Sequence, residues 1–260
     1  MRNRKILALL LLATSACGGG PVLRVCADPD NLPFSNDQML GFENRVADVI
    51  AADMGARVVY TWWPQRQGFL RNTLNAHKCD VVIGLPTSIH SALTTRPYYR
   101  SSYAFVSRAD RHLDIASFDD ARLRALRIGV QHVGDDGANS PPAHALSRRG
   151  IVRNVAGFPI YHDPARIVRA VAEGQVDVAV VWGPLAGFYA ARQDPALRVV
   201  PVAAPADGPA LPLAFDISVA VRSDDSERRD LLDRVIDRRR ADIDAILAEY
   251  DVPRVVQEGS

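Results

Sequence analysis

The spacing of apolar residues changes regularly along the first third of the chain. Short, nearly continuous apolar runs predict strands at residues 23–27, 58–62 and 81–85. Between these runs, apolar residues recur at helical spacing over residues 42–54 and 69–74, and Gly55 stands where a helix would end. Strands that alternate with helices predict a parallel, doubly wound sheet.

The same alternation restarts after the polar stretch at residues 107–120. The pattern predicts strands at residues 126–130, 176–182 and 215–221 and helices at residues 143–150 and 167–172. The apolar positions between residues 231 and 247 predict one long C-terminal helix. The second half of the chain therefore repeats the α/β organisation of the first half.

This repetition predicts an α/β fold of two doubly wound lobes around a cleft. We expect two crossovers between the lobes, near residues 102–106 and near residues 201–215. Residues 22–105 together with residues 210–260 then form lobe 1, and residues 106–209 form lobe 2.

The N-terminus has the organisation of a secretory signal peptide over residues 1–16. Basic residues precede an apolar run at residues 6–13, which is far shorter than the roughly 20 residues that span a bilayer. We therefore expect export to the periplasm. Cys17 is followed by three glycines, as at the cleavage site of bacterial lipoproteins. A lipid anchor on Cys17 and ordinary cleavage after Ala16 both remain open.

Composition and motifs exclude several function classes. The formal net charge is +1 and no run of Lys or Arg forms a stripe, which argues against nucleic-acid binding. No His or Asp spacing matches a metal site, and no catalytic motif stands out, so we expect a non-catalytic protein without a cofactor. Cys26 and Cys79 form either a disulfide or two buried free thiols.

Several short motifs resemble the substrate-binding proteins of amino-acid uptake transporters. They are the first strand ending in Asp28, Pro-Phe-Ser at residues 33–35, Gly-Phe-Glu at residues 41–43, and Gly-Gln-Val-Asp at residues 174–177. The resemblance runs through the mature chain. It implies a periplasmic binding protein of the type II-like fold.

Within the solute-binding proteins, the chain more closely resembles one narrower group. This group comprises the J-type accessory proteins of pyrroloquinoline-quinone (PQQ) dependent methanol and alcohol dehydrogenases. The resemblance is carried by residues 28–36, 62–66, 71–75, 95–101 and 181–187. It implies a periplasmic protein that docks on such a quinoprotein dehydrogenase and helps its maturation or activation.

The chain departs from the amino-acid binders at three elements of ligand recognition. Residues 88–90 (Ser-Ile-His) stand where those proteins carry an Arg for the ligand carboxylate. Trp182 replaces the acid that holds the ligand ammonium, and Asn31 replaces an aromatic residue that stacks on the ligand. We therefore expect the cleft not to hold a free amino acid.

The candidate ligand- or partner-binding residues lie where the predicted strands end. Trp62 and Trp63 follow the second strand, and one of the two is expected in the core because alternate side chains face opposite sides. Asn139 precedes the helix whose N-terminus holds the ligand carboxylate in amino-acid binders. The full set is Asp28, Asn31, Trp62, Trp63, Arg66, Arg96, Tyr98, Tyr99, Arg100, Asn139 and Trp182.

Alternatives remain for this set and for the function. The segment from Arg96 to Arg100 is either a partner or anion surface at the cleft mouth, or a hinge packed by tyrosines with solvated arginines. Besides the docking function, the fold is compatible with a transport receptor for an unidentified small solute other than a free amino acid. An enzyme of the lyase type is the least favoured alternative.

Overall fold

The computed structural model describes residues 20–132, 140–159, 163–203 and 212–256. The predicted signal peptide, Cys17 and Asn139 lie outside these residues. Within the described ranges no helix has both the length and the apolar character that a membrane crossing requires.

Lobe 1 is built on five principal strands in the order β4-β1-β5-β12-β7. The strands β1, β4 and β5 are parallel, whereas β12 runs antiparallel to β5 and β7. Its strands are β1 (Val22–Ala27), β2 (Asp30–Asn31), β3 (Ser35–Asn36), β4 (Arg57–Trp62), β5 (Val81–Pro86), β6 (Leu93–Thr94), the start of β7 (Tyr99–Arg108) and β12 (Ala214–Val221). Its helices are α1 (Phe42–Asp53), α2 (Phe69–Asn72), α6 (Ser226–Arg238) and α7 (Arg240–Glu249).

Lobe 2 is built around the second half of β7. The strand order continues β7-β10-β8-β9, and β11 also pairs with β7. The strands are β8 (Ile128–His132), β9 (Val155–Pro159), β10 (Val178–Trp182) and β11 (Leu197–Pro201), and the helices are α3 (Pro141–Arg148), α4 (Arg166–Ala172) and α5 (Gly183–Ala190).

The strand β7 passes from one lobe to the other. Its residues up to Ser102 pair with β12, and its residues from Tyr103 onward pair with β10 and β11. The change of partners falls inside the segment 102–106, where one crossover was predicted. The sheets of the two lobes therefore share one continuous strand.

The prediction of a single long C-terminal helix is wrong, because the helix is interrupted at Arg239. Arg239 ends α6 and begins α7 with a backbone ψ of 16°. Both helices pack on the lobe 1 core, through Leu232, Val235 and Ile236 in α6 and through Ile243, Ile246 and Leu247 in α7. Their apolar spacing therefore continues across the break. The prediction also omitted the strands β2, β3, β6, β7, β9 and β11 and the helix α5.

The lobe 2 sheet is buried on both faces. Val178 and Val180 of β10 belong to the apolar cluster on one face, and Ala179 and Val181 belong to the cluster on the other face. A strand covered by helices and loops on both sides has no polar alternation. This explains the continuous apolar run that predicted β10.

Cys26 and Cys79 form a disulfide in the structure, with an S–S distance of 2.06 Å and a Cα–Cα distance of 5.6 Å. It joins β1 to the segment that leads into β5. Both sulfur-bearing residues are buried among Phe69, Leu70 and Leu74. Of the two alternatives for these cysteines, the structure has the bridge.

Candidate functional site

A cleft between the two lobes contains two adjoining cavities of about 430 and 260 Å³. Residues of both lobes line them, and both cavities share Asn31, Phe34, Gln65, Tyr103 and Trp182. The larger volume is in the range of small-molecule sites, which is about 300–1,000 Å³, and the smaller one is just below it. The cleft is the principal candidate site among the described residues.

Strand ends position the polar groups of this cleft. Asp28 follows β1, Gln131 lies next to the last residue of β8, and Trp182 is the last residue of β10. Ligands of open α/β sheets bind outside the carboxyl ends of the strands. The fold therefore brings residues from both lobes to the same edge.

Asp28 lines the cleft, but its carboxylate is already hydrogen-bonded to the backbone of two loops. It accepts hydrogen bonds from the backbone N–H of Asp30 at 2.9 Å and of Gln65 at 2.6 Å. Asn31 donates to the Gln65 side chain at 3.4 Å. Asp28 and Asn31 thus fasten the loop after β1 to the loop after β4.

Aromatic side chains form the wall where an amino-acid binder would carry an acid. The Trp182 ring lies edge-on to Tyr103, with ring centres 5.5 Å apart, and to Phe215, with ring centres 5.7 Å apart. Burial raises the pKa of the Tyr103 hydroxyl to about 12, so it is neutral at physiological pH. This wall offers apolar surface and ring faces instead of a counter-charge.

Glu43 places a carboxyl group at the floor of the cleft. It lies in the first turn of α1, is only 8% exposed, and lines the smaller cavity. Burial, reinforced by the nearby Asp28 charge, raises its pKa from 4.5 to about 8. The carboxyl group rests against Gly84 of β5, which has a φ of +80°, and a Cβ there would stand 1.7 Å from Glu43 Oε1. Only glycine fits that position.

The N-terminus of α3 offers few donors to an anion. Its first two residues are Pro141 and Pro142, which have no backbone N–H. The hydroxyl of Ser140, which precedes them, is buried and has no hydrogen-bond partner among the described residues. The two prolines take away backbone donors that a ligand carboxylate would use at this helix start.

Of the predicted residues that the structure describes, four line the cleft and the others lie outside its lining. The four are Asp28, Asn31, Arg66 and Trp182. Trp62 stacks on Tyr60 with ring centres 4.5 Å apart and packs against the lobe 1 core. Trp63 is 38% exposed, with Lys78 Nζ 4.6 Å from its ring centre.

The placement of residues 96–100 at the cleft mouth needs correction. Tyr98 and Tyr99 are 2% and 6% exposed and belong to the lobe 1 core, so neither can contact a partner directly. Arg96 pairs with Asp233 and Asp237 of α6. Arg100 Nη1 lies 2.8 Å from Asp216 Oδ2 of β12. The segment therefore resembles the alternative interpretation, a packed hinge, although its arginines are paired.

Several residues of the site were not predicted: Phe34, Glu43, Gln65, Tyr103, Gln131, Ser140 and Phe215. Phe34 and Glu43 belong to the motifs that carry the resemblance to solute-binding proteins. Tyr103 and Phe215 lie on β7 and β12, the strands nearest the crossovers. Membership of a family motif and proximity to a crossover were therefore the signals that could have identified these residues.

In the part of the chain that the structure describes, no group of three or more His, Cys, Asp or Glu side chains is placed to hold a metal ion.

Helix α5 connects the lobes on the side of the C-terminus. The Phe188 ring stacks on Tyr250 with ring centres 5.7 Å apart. Gly187 lies so close to the chain that a Cβ would stand 1.9 Å from the carbonyl oxygen of Asp251. The Tyr189 hydroxyl donates to the carbonyl oxygen of Leu32 at 3.2 Å. These contacts hold lobe 2 to lobe 1 without a ligand.

Comparison with known proteins agrees with this architecture. The family described as bacterial extracellular solute-binding proteins, family 3, matches residues 23–251. The chain belongs to this family. It is 35% identical over 243 residues to Protein MoxJ of Methylorubrum extorquens, covering 89% of this chain and 81% of that protein. It is 32% identical over 263 residues to Protein MoxJ of Paracoccus denitrificans, covering 95% and 94% of the two proteins.

A solved structure extends the likeness to three dimensions. The periplasmic binding protein XoxJ from Methylobacterium extorquens AM1 matches with a TM-score of 0.76 at 35% identity, covering 90% of this chain and all of that chain (100%). The predicted fold class and the resemblance to J-type proteins are confirmed. Membership of an extracellular solute-binding family agrees with export to the periplasm. Lipidation of Cys17 stays a prediction.

Proposed function

We propose that this family 3 protein is a non-catalytic periplasmic accessory factor that docks on a PQQ-dependent methanol or alcohol dehydrogenase and assists its maturation or activation. The observation that carries the proposal is the likeness to the MoxJ proteins along most of the chain. The partner is inferred from the resemblance of this chain to the J-type accessory proteins of such dehydrogenases.

The cleft supports this proposal because it lacks what an amino-acid receptor needs. Trp182 and Asn31 line the cavity in place of an acid and an aromatic residue, and the first turn of α3 contains two prolines. The smaller cavity, which contains the acid Glu43, has no basic side chain in its lining for the carboxylate of a zwitterionic ligand. Unpaired charges are costly to bury.

The contacts of α5 favour a fixed docking surface over a receptor that closes on its ligand. Phe188 and Tyr250 stack across the lobes, and Tyr189 is bonded to Leu32. A large hinge motion would have to break these contacts. A surface that keeps one shape loses less freedom on binding a partner.

The rim loop, defined as residues 63–66, is the proposed contact. It contains the exposed Trp63, and its residues Pro64, Gln65 and Arg66 line the larger cavity. Tryptophan and arginine dominate the energetics of protein interfaces. The loop is fastened to lobe 1 through the Asp28 carboxylate.

Co-purification with the PQQ-dependent dehydrogenase of the same organism tests the proposal. We expect the wild type to retain the dehydrogenase and Trp63→Ala to weaken the complex about 30-fold, the equivalent of about 2 kcal/mol. Val59→Ala is the control, because Val59 is exposed on β4, the strand before the rim loop, but lies outside the rim loop. Failure of the wild type to retain or activate the enzyme contradicts docking. Equal behaviour of Trp63→Ala contradicts only the placement of the surface.

A transport receptor for a small solute other than a free amino acid is the second candidate, and the cavity volumes favour it. Calorimetry against the common amino acids tests the expectation that the cleft does not hold a free amino acid. We expect no dissociation constant in the micromolar range, which corresponds to about 8 kcal/mol of binding. Micromolar binding of any free amino acid would restore the uptake interpretation.

A further inference from the structure

The Glu43 carboxyl is a buried acid without a basic partner. Among the described residues, no Lys, Arg or His forms an ion pair with it, whereas Asp80, the other buried acid in that part of the chain, pairs with Arg24 and Arg222. Because Gly84 has no Cβ, the carboxyl group packs directly against the backbone of β5. The group therefore faces the smaller cavity with its charge or its proton uncompensated.

The remaining lining of that cavity matches one kind of ligand. Phe34, Tyr103, Trp182 and Phe215 contribute ring surface. The second nearby acid is Asp28, whose charge acts on Glu43. None of the residues that line the smaller cavity is basic. Ring faces and carboxylates both attract organic cations, and ring faces do so while providing apolar contact to the carbon chain.

We propose that the floor of the cleft binds a small organic cation of the alkylammonium class, with its ammonium group against Glu43 and its carbon chain against Trp182 and Phe215. The ligand is an amine without a carboxylate, because no basic side chain lines the smaller cavity to pair with a carboxylate there. This site goes beyond the proposed docking function and does not depend on it.

Binding of the cation releases a proton. The pKa of Glu43 is about 8, so at pH 7 the carboxyl is mostly protonated. A bound ammonium stabilises the carboxylate, so the neutral acid and the cation become an ion pair and the proton passes to the buffer. The titratable groups that act on or with Glu43 are Asp28, Tyr60, Tyr98 and Tyr99. The three tyrosines have raised pKa values and stay neutral, so Glu43 is the source of the proton.

Titration calorimetry with butylammonium as the probe tests the site. Measured at pH 7 in two buffers of different ionisation enthalpy, binding should release close to one proton, and at about pH 9 it should release almost none. The neutral 1-butanol and the anionic butyrate should bind at least about tenfold more weakly at pH 9, where Glu43 is charged.

Two variants make the assignment specific. Glu43→Gln should weaken butylammonium binding about tenfold or more at pH 9 and abolish the proton release at pH 7. Glu227→Gln, which changes an exposed acid on α6, should behave as the wild type. Absence of butylammonium binding, equal affinity for 1-butanol, or binding at pH 7 without proton release overturns the proposal. All three of these measurements use only the wild type, so they decide the question even if Glu43→Gln fails to fold.

Discussion

Removal of the disulfide should cost lobe 1 several kcal/mol of stability. The bridge closes a loop with a sequence separation of 53 residues. In the chain-entropy treatment, a loop of that length contributes about 4 kcal/mol at 25 °C, because the unfolded chain loses freedom when it is cross-linked. The strands that the bridge joins remain paired through Val25 with Val81 and Cys26 with Val82. The effect should therefore act on the unfolded chain and leave the fold intact.

Urea unfolding followed by tryptophan fluorescence measures this effect. We expect Cys26→Ala/Cys79→Ala to lose about 2–4 kcal/mol in the free energy of unfolding, with the midpoint lower by roughly 1 M urea or more. The wild type reduced with a thiol is the matched control, since it loses the cross-link and keeps both side chains. A loss below about 1 kcal/mol in both forms would show that the cross-link does little for stability.

Three further changes test the interior charges and the floor of the cleft. Burial raises the pKa of Glu43 to about 8, so the folded protein holds the proton of this acid more tightly than the unfolded chain does. The resulting contribution to the free energy of unfolding is complete below the ordinary pKa of 4.5 and is lost as pH rises through about 8. Urea titrations at several pH values should show this loss in the wild type, and Glu43→Gln should remove it. Gly84→Ala should lower stability by about 2 kcal/mol or more in thermal unfolding, because of its positive φ and the contact with Glu43. Gly20→Ala, where a Cβ meets no neighbour, should be neutral. Asp177→Asn should cost about 1–3 kcal/mol at neutral pH, since Arg127 and Arg111 hold the pKa of this carboxyl well below its usual range. The wild-type advantage over Asp177→Asn should fall in acid, as the carboxyl protonates.

The apolar pattern predicted those elements whose burial is uniform along their length. β10 reads as a continuous apolar run because helices or loops cover both faces of its sheet. β7 has no continuous apolar run, because Tyr99–Arg108 pairs with strands of both lobes and has polar residues where its partners change. Helix α5 starts with Gly183 and Pro184, and a proline in the first turn is a helix-start signal that the prediction did not use.

The site was only partly predictable, because burial of a charge leaves no local sequence signal. Asp28 could be placed because it follows a strand end, and Asn31 and Trp182 because the resemblance to amino-acid binders marks their positions. The partners of Arg96 and Arg100 lie more than 100 residues away in the sequence, with separations of 141 and 116. Nothing beside these arginines in the chain indicates that they are already paired. Glu43 stands in the first turn of a helix, where an acid ordinarily faces solvent.

The departures from amino-acid recognition are physically linked. A ligand carboxylate and a ligand ammonium each need a partner, and a buried group left unpaired after one change costs more than the pair contributed. Trp182 packs edge-on against Tyr103 and Phe215, so an acid at that position would face two rings without a donor. Pro141 and Pro142 remove donors from the opposite part of the cleft. An acid at position 182 would bury a charge against aromatic rings, whereas an indole contributes apolar contact. Glu43 then remains the carboxyl group at the cleft floor without an ion-pair partner among the described residues, which is why a cation without a carboxylate suits this cleft.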